Sequence, residues 1–201
     1  MERFISAVLT AAGLSSRMGR PKPLLPWRGK TLVESQIQSL LEAGAREVIV
    51  VLGHKAEEVA PYVSGQAVRG VMNPRYREGR ASSIRAGLEE VSSDATDVVI
   101  MAVDQPRASQ TVSDVINAHL EADALLTSPR YRGRGGHPLA FSARLLPELG
   151  RISEENQGLR EVFERHRAEI TEVAFDDPAI RLDLNTPEAY NEAFEKYGRE
   201  D

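Results

Sequence analysis

The sequence predicts an α/β fold, a three-layer α/β/α sandwich with helices on both faces of a mostly parallel sheet. Short β-branched apolar runs of buried-strand length predict the sheet, amphipathic segments of helical period between them predict the helices, and glycines mark the joins. The 201 residues, 41% of them hydrophobic, suit one domain spanning 1–201.

Residues 4–9 form an apolar run broken only by Ser6, the expected first strand. Within 31–43, Leu32, Val33, Ile37, Leu40 and Leu41 share one helical face, and Gly44 supplies the stop. The run EVIVVL at 47–52 is β-branched and bounded by Gly53; a short helical piece at 55–63 and a weaker strand at 68–72 follow. A helix is expected at 79–91, a strongly apolar strand at 98–103 (VVIMAV) and an amphipathic helix at 109–122. Short strands are read at 124–128 and 139–142, a helix at 158–166 and a strand at 170–175. The last helix opens at Thr186-Pro187-Glu188, a threonine cap with proline at the first helical position. Right-handed crossovers put helices on both faces of such a sheet, and ligands bind beyond the strands' carboxyl ends. The loops after Leu9, Met72 and Val103 are therefore expected to converge on the site.

Composition removes several function classes. The chain has no cysteine, so disulfides, thiolate metal sites and cysteine nucleophiles are excluded. A net charge of −5 disfavours a general nucleic-acid binder, so any anion site must be local. No apolar run approaches the roughly 20 residues of a membrane span, and Met1-Glu2-Arg3 leads directly into a strand without a signal-peptide core. A cytoplasmic protein without nucleic-acid or membrane partners is expected.

The segment 7–22 joins the first strand to a loop with small residues first (Ala11, Ala12, Gly13, Ser15) and cations afterwards (Arg17, Lys22). Small residues let backbone N–H groups approach phosphate oxygens, Arg17 can fork onto an anion, and Lys22 adds a point charge. Neither the P-loop nor the dinucleotide glycine fingerprint is present. By spacing alone, turn glycines with solvated cations remain an equal reading. Asp104 follows a buried strand and Asp183 is read at a similar post-strand position; such carboxylates suit Mg²⁺, although a single aspartate is more often a turn or cap residue. Arg75 and Arg77 read as a solvated basic face, and Ser82 serves equally as a helix cap. Arg130, Arg132 and Arg134 lead into Gly135-Gly136-His137-Pro138, a flexible loop for an anionic substrate in which His137 is either a phosphate partner or structural, but not a general base. His54, His119 and His166 lack metal-ligand spacing and are assigned to the surface; Trp27 is assigned to packing.

The run Ala11-Ala12-Gly13-x-Ser15-x-Arg17-Met18-Gly19-x-x-Lys22-x-Leu24-Leu25-Pro26 resembles the MobA-like NTP transferase family of molybdenum-cofactor nucleotidyltransferases. The resemblance continues in order through Asn73-Pro74-x-Tyr76-x-x-Gly79-x-x-Ser82-Ser83-Ile84-x-x-Gly87, Asp104-x-Pro106, Gly136-His137-Pro138 and Asp183-Leu184-Asn185-Thr186-Pro187-Glu188. It implies a Rossmann-like α/β/α nucleotidyltransferase domain that moves a nucleoside monophosphate from an NTP to a phosphate-bearing acceptor, molybdopterin or molybdenum cofactor, with release of pyrophosphate. Ala12, where the guanylyltransferase branch favours glycine, implies CTP over GTP.

Carried onto this chain, the resemblance makes Arg17, Lys22 and Asp104 catalytic, with Ala11, Ala12, Gly13, Ser15, Asn73, Gly79 and Ser82 on the nucleotide. Asp104 and Asp183 hold Mg²⁺, Arg80, Gly136 and His137 face the acceptor, and a client molybdoenzyme is an implied partner. Thr10, Tyr76 and Ala189 depart from the family's usual residues, and Ala189 leaves Asp183 as the last block's one candidate ligand. Two alternatives remain: another cytidylyl- or sugar-phosphate nucleotidyltransferase of the same fold, and a non-catalytic nucleotide- or pterin-binding maturation factor.

Overall fold

The structure is a computed structural model that describes residues 3–199. Its strands are β1 (Ile5–Thr10), β2 (Pro26–Trp27), β3 (Lys30–Thr31), β4 (Glu47–Leu52), β5 (Val68–Met72), β6 (Asp97–Ala102), β7 (Leu126–Tyr131), β8 (Arg134–Gly135), β9 (Leu139–Ser142) and β10 (Ile170–Ala174). The α-helices are α1 (Leu32–Glu42), α2 (Ala56–Val59), α3 (Arg80–Leu88), α4 (Ser109–Glu121), α5 (Leu146–Leu149), α6 (Leu159–Arg165) and α7 (Pro187–Ala193). The main sheet runs β10-β7-β9-β6-β1-β4-β5, with β8 beside β7. Strand β1 pairs in parallel with both β4 and β6, and β4 with β5. Strand β9 runs antiparallel to both neighbours, so β7 and β10 point the same way as β6. The mostly parallel sandwich read from the sequence is therefore present, with β9 and the short β8 reversed.

Period-2 alternation divides the sheet's side chains between two cores. Ala7, Leu9, Val48, Val50, Val99 and Met101 pack against α1, α4 and α7. Val8, Ile49, Val51, Val98 and Ile100 pack on the opposite face with residues of α3, α5 and α6. Because both faces are covered, these strands read as unbroken apolar runs. Helix α1 starts with a reciprocal capping box between Thr31 and Glu34, and Thr186 caps α7 by accepting from the Ala189 N–H. Helix α3 approaches the sheet through Gly87, where a Cβ would come within 2.4 Å of a Val8 methyl.

The histidines correct one expectation. His119 is not on the surface: it is 2% exposed, with Nδ1 2.7 Å from the Thr127 hydroxyl and Nε2 3.2 Å from an Asp97 carboxylate oxygen. Burial pushes the Asp97 carboxyl up, but hydrogen bonds with His119 and then Thr96 outweigh it and hold it below the ordinary carboxylate range. The chain ties α4 to β6 and β7. His166 lies 2.9 Å from both Glu148 and Glu169, whose hydrogen bonds, Glu148's first, raise its pKa above the ordinary value. Trp27 is buried and meets Phe194 edge to face, as packing requires. Among the described residues, no helix is long and apolar enough to cross a membrane.

Two outcomes are expected. Gly87→Ala, although a better helix former, should lower stability by about 1–3 kcal/mol through overpacking against Val8, visible as a fall in Tm. A raised histidine pKa stabilises fully below the unfolded value near 6.5 and is lost as pH climbs through the folded value. His166→Asn should therefore flatten the stability profile as pH rises above about 6.5, by under about 1 kcal/mol because the ion pairs reach solvent. Urea midpoints across that range read both effects.

Candidate active site

The carboxyl ends of β1 and β6, and the turn after β5, meet at one edge of the sheet, as the fold predicts for a parallel arrangement. A cavity of about 330 Å³ opens there, lined by the loop 10–17, Lys22, Tyr76, Arg77, Gly79, Arg80, Ser83, Asp104 and Asn185. A larger cavity of about 660 Å³ shares Thr10, Arg80 and Ala102 with it and is bounded by Gly136, His137, Leu139 and residues of α6.

Ala11 and Ala12 are buried, and the Ala11 N–H donates to the Val51 carbonyl at 2.9 Å. Ala12 packs against Gly53, which must be glycine because a Cβ there would lie 2.7 Å from the Ala12 Cβ. Gly13 differs: its φ is not left-handed and a Cβ would meet no atom of the protein within 4 Å. Nothing in the protein's packing requires glycine at that point, and it lines the cavity. Ser15 closes the loop, adopting φ 52° and accepting from the Lys22 N–H at 3.0 Å. Arg17 is exposed on the cavity wall.

Lys22 is the charge centre. Its ammonium lies 2.7 Å from Asp104 Oδ2 and 2.7 Å from Asn185 Oδ1, with only 13% of its side chain exposed. Two of its three donors are used, leaving one for a ligand oxygen. Asn185 carries no signal of this contact in the sequence beyond its place in the Asp183-Leu184-Asn185 run. Asp183 is not after a strand as expected. It sits on an irregular segment following the turn Pro178–Arg181, tied to the Asp104 loop by the Leu184 N–H donating to the Asp104 carbonyl at 2.8 Å, and lies outside the lining of both cavities. Loss of water, then the Asp104 charge, raises the Asp183 carboxyl above its ordinary value, while Lys22, Arg80 and Arg107 pull it down.

Asn73 and Ser82 depart from the expectation of nucleotide contact. Both are 2% exposed and lie outside the cavity lining. Asn73 Nδ2 donates to the Ser82 and Ser83 hydroxyls at 3.0 and 3.1 Å, and its Oδ1 accepts from the Arg75 N–H. The Ser82 hydroxyl lies 2.9 Å from the Arg75 and Gly79 carbonyls. They build the turn that presents Gly79 and Arg80. Gly79 has φ 107°, and Glu154, missed in the sequence, accepts from the Ala81 N–H at 2.6 Å in place of an N-cap side chain.

Gly136 and His137 both line the larger cavity. A Cβ on Gly136 would lie 2.3 Å from the Ile180 carbonyl, so backbone packing requires that glycine. Burial, then the Arg107 and Arg80 charges, push His137 down to about 3, so it is neutral near pH 7. Arg107, also missed, is 4% exposed and pushed down to about 9 by burial, which leaves it charged. No sequence pattern distinguishes this buried arginine from a solvated one.

A parallel sheet that brings a small-residue loop, clustered cations and two carboxylates to its carboxyl edge is the architecture of a nucleotidyltransferase-type α/β domain. The chain belongs to the MobA-like NTP transferase family, whose domain model matches residues 7–170. It is 34% identical to nicotine blue oxidoreductase of Paenarthrobacter nicotinovorans over 193 residues, 92% of this chain and 93% of that protein. It is 28% identical to the molybdenum cofactor cytidylyltransferase of Escherichia coli K12, over 96% of this chain and 97% of that one. The crystal structure of Rv0371c from Mycobacterium tuberculosis H37Rv superposes with a TM-score of 0.84 at 30% identity, covering 97% of this chain and all of that one. The manganese complex of the same protein gives 0.79 at 29% identity over 97% of this chain and 100% of that one.

The two glycines should separate by substitution. Gly13→Ala is expected to keep wild-type stability within about 0.5 kcal/mol while weakening triphosphate binding about tenfold, the scale of one lost charge-assisted hydrogen bond. Gly136→Ala is expected to lower Tm. Calorimetric titration with a nucleoside triphosphate, beside thermal melts, reads both.

Proposed function

We propose that this protein transfers a nucleoside monophosphate, CMP from CTP, to a phosphate-bearing acceptor of the molybdopterin type, releasing pyrophosphate. The observation that carries this reading is the open glycine at position 13 lining one cavity with the Lys22–Asp104–Asn185 cluster: a backbone cradle and an ammonium with one donor left fit a triphosphate. The cytidylyltransferase relative and Ala12 support cytosine as the base. The adjoining cavity, with Arg80, Arg130 and Arg160 around Phe163, Leu139 and Ile100, suits an acceptor with an anionic end and an apolar or aromatic body.

In the proposed reaction an acceptor phosphate oxygen attacks the α-phosphorus in line, forming one O–P bond as the bond to the pyrophosphate oxygen breaks. The nucleophile is already anionic near neutral pH, so no protein base is needed, in keeping with a neutral His137. Arg17 and Lys22 stabilise the charge gathering on the pyrophosphate, and Arg80 holds the acceptor phosphate beside it. Asp104 and Asp183 fit a divalent cation, Mg²⁺: both are hard oxygen donors, and each suffers the other's negative charge. Bound there, the ion would offset charge on the triphosphate. The related structure with manganese supports a divalent site.

The 34% match to an oxidoreductase favours a second reading, an oxidation–reduction reaction, for which a dinucleotide held by its phosphates in the same cradle would be the electron carrier. The dinucleotide glycine register is absent from the loop 11–22, which weighs against it. Pyrophosphate release should be measured from CTP, GTP and ATP with Mg²⁺, with and without molybdopterin, beside oxidation of reduced nicotinamide cofactors. The expected outcome is acceptor-dependent release from CTP. Lys22→Ala and Asp104→Ala should each lower it by at least about 100-fold without unfolding the protein. Near-wild-type release in either folded variant removes the mechanism, and cofactor oxidation without pyrophosphate selects the second reading.

A further inference from the structure

Arg107 lies between Asp104, at the end of β6, and Ser109, the first residue of α4, yet its guanidinium turns inward and is almost fully buried. A buried cation normally meets a carboxylate, because desolvation of an unpaired charge is costly. Arg107 instead donates to backbone carbonyls. Its Nε reaches His137 O at 2.8 Å, Nη1 reaches Pro106 O at 2.7 Å, and Nη2 reaches Ile180 O at 2.6 Å. Both Nη atoms also approach Leu182 O, at 3.4 and 3.3 Å. Its own N–H donates to Gln36 Oε1 at 2.9 Å.

Those carbonyls belong to three separate segments: the loop carrying Asp104, the loop carrying Gly136 and His137, and the irregular stretch leading to Asp183. The last has no strand to hold it. Besides Arg107, the described residues tie it to the other two through the Leu184 N–H to the Asp104 carbonyl and the His137 N–H to the Ile180 carbonyl, at 2.8 and 3.3 Å, and through the Lys22 ammonium between Asp104 and Asn185. A planar guanidinium with five donors in fixed directions can clamp several carbonyls at once; an ammonium of similar charge cannot hold the same directions. The charge itself faces Asp183, Asp104 and Asp177.

We infer that Arg107 is the positioning residue of the two-carboxylate site: by clamping the 180–182 backbone to the loops after β6 and before β9, it holds Asp183 at the distance from Asp104 at which both reach one divalent cation. The inference rests on the reading of Asp104 and Asp183 as cation ligands. Arg107 touches neither the nucleotide cavity nor the reacting atoms, and acts through the backbone it fixes.

The test is Mn²⁺ binding to the free protein, followed by the loss of the free-ion electron paramagnetic resonance signal, in wild type, R107K and R107M, with circular dichroism and Tm measured alongside. Both variants are expected to bind Mn²⁺ 10- to 100-fold more weakly, the usual cost of removing a group that orients a ligand. R107K, which keeps charge without the fork, should recover only part of the loss. In turnover, both should raise the Mg²⁺ concentration for half-maximal rate more than they lower the rate at saturating Mg²⁺. A folded R107K that binds Mn²⁺ as wild type does overturns the inference, whatever its Tm, and does so even where R107M fails to fold. Wild-type protein that binds no Mn²⁺ overturns the cation reading with it. Nucleotidyl transfer by wild type is scored separately, so the failure of Arg107's role is distinguishable from failure of the proposed reaction.

Discussion

The Lys22 ammonium joins parts of the chain 82 and 163 residues away, Asp104 at the end of β6 and Asn185 before α7. Neither partner is near it in sequence, so the contact exists only when β1 lies beside β6 in register and the C-terminal segment has crossed the sheet edge. A half-buried ion pair of this kind repays its desolvation through good geometry and neutral hydrogen bonds. Here the carboxamide of Asn185 supplies one, and the loop 15–22, closed by Ser15, supplies the stiffness. The site's electrostatics follow from that placement. Asp104 and Asp183 repel each other, Lys22 and the buried Arg107 offset that repulsion, and the net-acidic protein acquires a local cationic pocket.

The small residues around the pocket divide by what they accommodate. Gly53, Gly87 and Gly136 are small because another part of the chain occupies the space a side chain would need. Gly13 is small with space to spare, on the wall of the cavity. The same division runs through the polar residues. Asn73 and Ser82 spend their hydrogen bonds on one another and on the turn before α3, whereas Arg17, Arg80 and Lys22 keep donors at the cavity surface.

The family scaffold supports more than one chemistry. A cytidylyltransferase and an oxidoreductase both match nearly the whole chain, so the fold alone does not select the reaction. Selection falls to the residues at the joint edge of the two cavities, where Thr10, Arg80 and Ala102 face both. In the proposed reaction, a phosphate in one cavity and an anionic group in the other would meet at Arg80.

Strand and helix order was legible because the central strands β1, β4 and β6 are buried on both faces and read as apolar runs, and β4, β5 and β9 stand at the ends read from the sequence. Helix starts at Thr31 and Thr186 were legible because capping is a local interaction. The loop 11–22 and Asp104 were visible as types of residue in a suggestive order. What folding added is long-range: the pairing of Lys22 with Asp104 and Asn185, the withdrawal of Asn73 and Ser82 beneath the cavity, and the burial of His119. Arg107 shows the limit most clearly. As a sequence letter it is one of many arginines; its role arises from carbonyls on three loops that converge only in the folded chain, where a guanidinium has no water left to bind.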